Sequence, residues 1–164
     1  MSEIEMLREE ARGEVKPFPW KCGHCRKRAV QPAVVPYTTE DEYDGRMYTV
    51  TVPELRIPRC QNCGELVLDS PASRQITDSL RQQLRLLTPE QIRRSREALG
   101  LTQQQLASYL GIEEVTMSRL ETGGQIQQRV LDRLLRLYFS SAGVRAALAD
   151  EDWLGELGSG SITR

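Results

Sequence analysis

The stretch Leu101–Gly123, LTQQQLASYLGIEEVTMSRLETG, decides the fold. Thr102 can cap a helix and Gln105 stands three residues later, the reciprocal pair that satisfies free backbone N–H groups at a helix start. Leu106, Ala107 and Leu110 then recur at helical spacing and share one face. Gly111 ends that helix, because glycine turns left-handed there without steric cost. A second apolar set follows at Ile112, Val115, Met117 and Leu120, and Gly123 and Gly124 close it. Two helices joined by a short glycine turn are the unit that lays its second helix in the major groove of DNA.

Outward on the N-terminal side, Thr88 caps, Pro89 opens and Gln91 completes the start of another helix. It carries Ile92, Leu99 and the basic run Arg93, Arg94 and Arg96. Before it, Ile76, Leu80, Leu84 and Leu87 form one stripe. The pattern becomes helical from Ser70 to Leu87 and predicts a connector helix over 76–87, in a segment 71–88, with Pro71 marking the boundary after the zinc module. Its stripe is expected to pack on the helical domain or on a second subunit. On the C-terminal side, Val130, Leu131, Leu134, Leu135, Leu137 and Tyr138 share a helix with Arg129, Arg133 and Arg136. That apolar part is wide for one small core and implies an additional contact surface. The helical domain is therefore expected over 89–139. Residues 140–164 are read as a short helix with Trp153 and Leu154 and a flexible tail, GSGSITR.

Further upstream stand Cys22-Gly23-His24-Cys25 and Cys60-Gln61-Asn62-Cys63, with 34 residues between the pairs. Each C-x-x-C turn points two thiolates at one place, and two such turns complete a tetrahedron. Four sulfurs suit Zn²⁺, which has no d-electron preference against that geometry. Cys22, Cys25, Cys60 and Cys63 are thus the expected ligands of one structural zinc per chain, closed to substrate. Gly23 and Gly64 fit the tight turns, and His24 is expected to face solvent. Between the pairs, Ala33–Tyr43 and Met47–Leu55 are strand-like, and Asp44-Gly45 signals the hairpin turn. Lys21, Arg26, Lys27 and Arg28 read first as a solvated basic surface that stabilises a net-negative thiolate centre, with a nucleic-acid contact as the alternative. The zinc module spans 20–70, and residues 1–19, polar and acidic with Ile4, Met6 and Leu7, form an extension. The fold class is α+β: a small N-terminal zinc module with a β-hairpin, a connector helix, then an all-α helix-turn-helix domain.

A formal net charge of -1 and a pI near 6.0 mean that any attraction to DNA must come from a local basic face. No stretch is apolar for the ~18 residues a membrane span needs, and the first residues are charged, so a cytoplasmic protein is expected. Four cysteines in that setting point to metal rather than disulfides. Catalysis is not expected, since His24 is the only histidine and no nucleophile–base set or phosphate loop is visible.

The segment from Thr88 to Phe139 resembles the lambda-repressor-like helix-turn-helix regulators, the XRE type. The order of Cys22/Cys25, PYTTEDEYDGRMYTVTVPELRIPRCQNCGE and LTPEQIRRSREALGLTQQQLASYLGIEEVTMSRLETG is similar to the MqsA-type antitoxins, which join a YgiT-type zinc finger to such a domain. The resemblance implies a zinc module that binds a partner toxin and a helical domain that binds its operator as a homodimer. It implies transcriptional repression of the type II antitoxin kind. By the family's pattern Met117 and Leu120 belong to the core of a recognition helix at about Glu113–Glu121. Glu113, Glu114, Val115, Ser118 and Arg119 then face outward. Arg119 is the expected base reader, since its fork spans guanine O6 and N7. Ser118 can reach a base or phosphate and Val115 a thymine methyl, while Glu113 and Glu114, which would repel phosphate, either read a cytosine amine or only compensate the helix dipole. Gln103 matches the family position where a glutamine and a helix N-terminus hold phosphate, with Thr102 and Thr116 as further phosphate candidates. One module buries too little for tight specificity, so a dimer on an inverted repeat is expected. The other readings are a regulator that works without a toxin, and an adaptor whose zinc module binds another protein.

Overall fold

The computed structural model describes residues 16–149. The expectations for Ile4, Met6 and Leu7 and for Trp153, Leu154 and the tail lie outside the described residues. Three strands and six helices follow in order. They are β1 (Trp20–Lys21), β2 (Arg28–Tyr43), β3 (Arg46–Cys60), α1 (Ser70–Leu84), α2 (Pro89–Ala98), α3 (Gln103–Leu110), α4 (Glu114–Thr122), α5 (Arg129–Ser140) and α6 (Ala142–Ala149). The strands form one sheet in the order β1-β2-β3. The architecture is α+β, a small antiparallel sheet with a four-cysteine cluster followed by helices.

The chain divides into two compact units, one of residues up to 37 with 52–75, the other of residues 38–51 with those from 76 on. The hairpin is longer than its alternation suggested, and its turn end belongs with the helices. At that turn Asp44 and Gly45 both take left-handed φ angles, 49° and 72°, as a tight two-residue hairpin loop requires.

In the first unit, Cys22, Val30 and Cys60 form a small core, against which Phe18, Trp20, Ala29 and Val67 pack. Helix α1 begins at Ser70, where the sequence pattern turns helical, and Asp69 caps it: its carboxylate accepts the Ala72 N–H at 2.8 Å. Pro71 lies in the first turn, where its missing N–H costs nothing. The Gln75 amide completes the edge of β3 like a strand partner, accepting from Arg56 N and donating to Arg56 O.

In the second unit, Ile92, Leu106, Ala107, Leu110, Met117, Leu120, Leu135 and Tyr138 form one buried core. Thr88 with Gln91, and Thr102 with Gln105, make the two reciprocal capping boxes that the sequence announced. Gly111 ends α3 at φ 68° and Gly123 ends α4 at φ 79°. Three residues, Gly111, Ile112 and Glu113, join α3 to α4, so the helix-turn-helix is formed as expected. Helix α5 has no side-chain cap of its own. Asp44, from the hairpin turn, accepts the Arg129 N–H at 2.9 Å and sets a carboxylate at the positive end of that helix. The Tyr43 hydroxyl donates to Gln127 O, and burial pushes its pKa up to about 12. Arg81, buried and bound to Asp78, donates to Gln125 O. Three side chains thus fix the loop that leaves α4.

Candidate metal centre and nucleic-acid interface

The two C-x-x-C turns are built alike. Cys22 N donates to Lys27 O and Cys60 N to Glu65 O, both at 2.8 Å. Arg26 N returns to Cys22 O, and Gly64 N to Cys60 O. The residue four past the first cysteine is left-handed in each, at φ 63° for Arg26 and 79° for Gly64. Gly23 and Gly64 both lie in the turns, as expected, and the left-handed position falls on Gly64 in the second turn and on Arg26 in the first.

The four cysteine sulfurs lie within 4.8 Å of one another. Cys22 Sγ to Cys63 Sγ and Cys25 Sγ to Cys60 Sγ are both 3.6 Å. A tetrahedron with ~2.3 Å zinc–sulfur bonds has edges of ~3.8 Å, so the donor set fits that ion. Its chemistry fits too. The backbone at Lys27 lowers the Cys25 thiol to about 6. The backbone at Glu65 acts in the same sense at Cys63, but burial and the hydrogen-bonding thiols of Cys60, Cys22 and Cys25 push that group up to about 12. Four thiolates cannot all form beside one another unless a cation offsets them, which is what a divalent metal supplies. His24 is exposed and stands outside the cluster.

On the helical unit, α4 presents Glu114, Val115 and Arg119 to solvent, while Met117 and Leu120 are fully buried. Ser118 and Thr116 are half-buried. Arg119 has no carboxylate within ion-pair distance among the described residues. Thr102 is exposed, but its hydroxyl oxygen already accepts from Gln105 N. Gln103 is half-buried, and its amide donates to Glu121 Oε2 at 2.8 Å, so a phosphate would meet an amide already oriented from within.

That bond exposes what the sequence reading missed. Arg96, read only as part of a basic run, is 9% exposed and grips Glu121 with both Nε and Nη2, while its Nη1 donates to Leu101 O. Hydrogen bonding to Glu121 raises its pKa. The signal was present: Arg96 lies four residues after Ile92 and Glu121 four after Met117, so each shares the inward face of its helix. A second buried group, Asp132, accepts from Leu87 N, Gln127 Nε2 and Arg136 Nε. Burial alone would raise its pKa, but these bonds hold it below the ordinary carboxylate range.

The fold and the clustered thiols define a protein with a helix-turn-helix unit and a four-cysteine centre able to hold a metal ion. The family model of the helix-turn-helix domain matches residues 90–148, from the first turn of α2 into α6. No curated protein matches the chain. No helix among the described residues is long and apolar enough to cross a membrane.

Proposed function

We propose that the protein is a sequence-specific DNA-binding repressor that acts by binding and not by catalysis. Zinc at Cys22, Cys25, Cys60 and Cys63 is its structural ion. One observation carries the reading: on the second helix of the helix-turn-helix, Arg119 and Val115 are exposed side by side with no competing partner, above a core sealed by Met117 and Leu120. Homodimerisation is supported by α5, where Val130 and Leu137, seven residues apart on one face, are 77% and 54% exposed. The antitoxin role, with a toxin held by the zinc module, rests on the resemblance in motif order alone.

The test is a titration of the full chain against the promoter of its own gene, at two salt concentrations and with single-base variants. Arg119→Ala is expected to cost ~1–3 kcal/mol and relax preference at one base pair per half-site. Gln103→Ala is expected to weaken all sequences alike, since a phosphate contact carries no base information. Arg119→Ala with affinity and preference intact would mean that α4 does not read DNA.

A further inference from the structure

The net charge of the chain hides an uneven distribution. The described part of the cysteine unit holds eight Lys and Arg against three Asp and Glu. The described part of the helical unit holds eleven of each. From Lys16 to Thr39 there are five cations and no acid. The helical unit is thus neutral in sum and the cysteine unit cationic, even after a four-thiolate zinc centre offsets about two of its charges, and phosphate neutralisation dominates protein–DNA affinity.

Beside the first cysteine turn the structure has a cleft of about 520 Å³, lined by Lys16, Pro17, Pro19, Trp20, Lys21 and Arg28. Lys16, Lys21 and Arg28 are all exposed. Trp20 is fixed as one wall: it stacks on Phe18 at 4.3 Å, and its indole N–H donates to Lys16 O. Lys21 on β1 pairs with Arg28 on the neighbouring β2, and Trp20 with Val30, which brings these two cations together at the cleft. Of the neighbouring cations, Lys27 is occupied by Asn62 and Arg26 carries the turn of the metal site. The three in the cleft have no carboxylate within ion-pair distance among the described residues.

We propose that this cleft is a second nucleic-acid contact, taking the phosphate backbone of duplex DNA without regard to sequence. Three unpaired cations lining one open cleft match a polyanion, and a rigid aromatic wall gives sugar and phosphate a surface at little entropic cost. The cleft makes the cysteine unit the source of general affinity, and α4 the source of discrimination. The proposal is independent of the recognition-helix reading, because a duplex of random sequence tests it alone.

The experiment uses the zinc-loaded full chain, the same chain with Lys16→Ala, Lys21→Ala and Arg28→Ala together, and Arg119→Ala. Each is titrated on a random-sequence 30-base-pair duplex across salt concentrations. Each lost phosphate contact should flatten the slope of log affinity against log salt by ~0.9, so the triple variant should lose up to ~2.7. Its affinity at low salt should fall at least ~10-fold. Arg119→Ala should leave this slope near that of the parent. One equivalent of zinc in the triple variant shows that the turn is intact, and Lys16→Arg with Lys21→Arg should keep the parental slope. A zinc-loaded triple variant with unchanged slope and affinity would overturn the proposal.

Discussion

The two units solve the same stability problem by different means. The cysteine unit packs one buried cluster of Val30 with Cys22 and Cys60, both at the metal position, and buries Leu55, Ile57 and Ala72 outside that cluster. The helical unit buries eight apolar residues in one cluster and ties its turns with buried Arg96–Glu121 and Asp132 networks. A cluster as small as the first offsets little of the entropy of ordering the cysteine turns, so those turns are expected to depend on ligation. The second has enough apolar burial to fold without an ion. The comparison teaches that metal and packing are interchangeable sources of order, and that each leaves its own point of failure.

The largest expected effect separates the units directly. Chelation, or Cys60→Ser, should unfold the cysteine unit, because structural zinc supplies folding free energy of ~10–16 kcal/mol. The helices should stay folded. Amide exchange by mass spectrometry checks this: β1 and both cysteine turns should lose protection while α2–α5 retain it. Purified protein without one metal equivalent, or with a disulfide under reducing conditions, would remove the metal from the comparison.

A smaller effect should come from inside the helical unit. Glu121→Ala strands the Arg96 guanidinium in the core and frees Gln103, and removal of one partner of a buried pair costs ~3–5 kcal/mol. Arg96→Leu with Glu121→Leu should recover much of that loss, since no buried charge then remains unpaired. Urea midpoints of the single and double variants decide it. A single variant within ~0.5 kcal/mol of the parent would show the pair to be solvated.

The smallest effect lies in the first cysteine turn. Arg26 holds a left-handed conformation that costs a non-glycine residue ~1 kcal/mol. Arg26→Gly should therefore stabilise the turn or leave it unchanged despite the lost charge, and slow zinc transfer to a chelator. Gly64→Ala, at the matching place in the second turn, should act in the opposite direction. Faster zinc loss in Arg26→Gly would show that its cation matters more to the thiolates than its backbone does.

Local chemistry was legible from residues alone. The capping boxes at Thr88 and Thr102, the left-handed Gly111 and Gly123, the Asp44-Gly45 loop and the doubled C-x-x-C are all short-range devices. Each is specified by a few neighbours whose backbone needs are the same in any fold, so the sequence by itself determined the helix-turn-helix, the hairpin and the clustering of the four thiols. Tertiary structure decided the rest. Only packing shows that Arg96 turns inward to Glu121, that Asp44 caps a helix 85 residues away, and that Tyr43 holds the loop after α4. Only packing gathers Lys16, Lys21 and Arg28 around one cleft. The reason is that a charged side chain is equally content with water or with a buried partner until its surroundings are built, and long-range neighbours, not local propensity, make that choice.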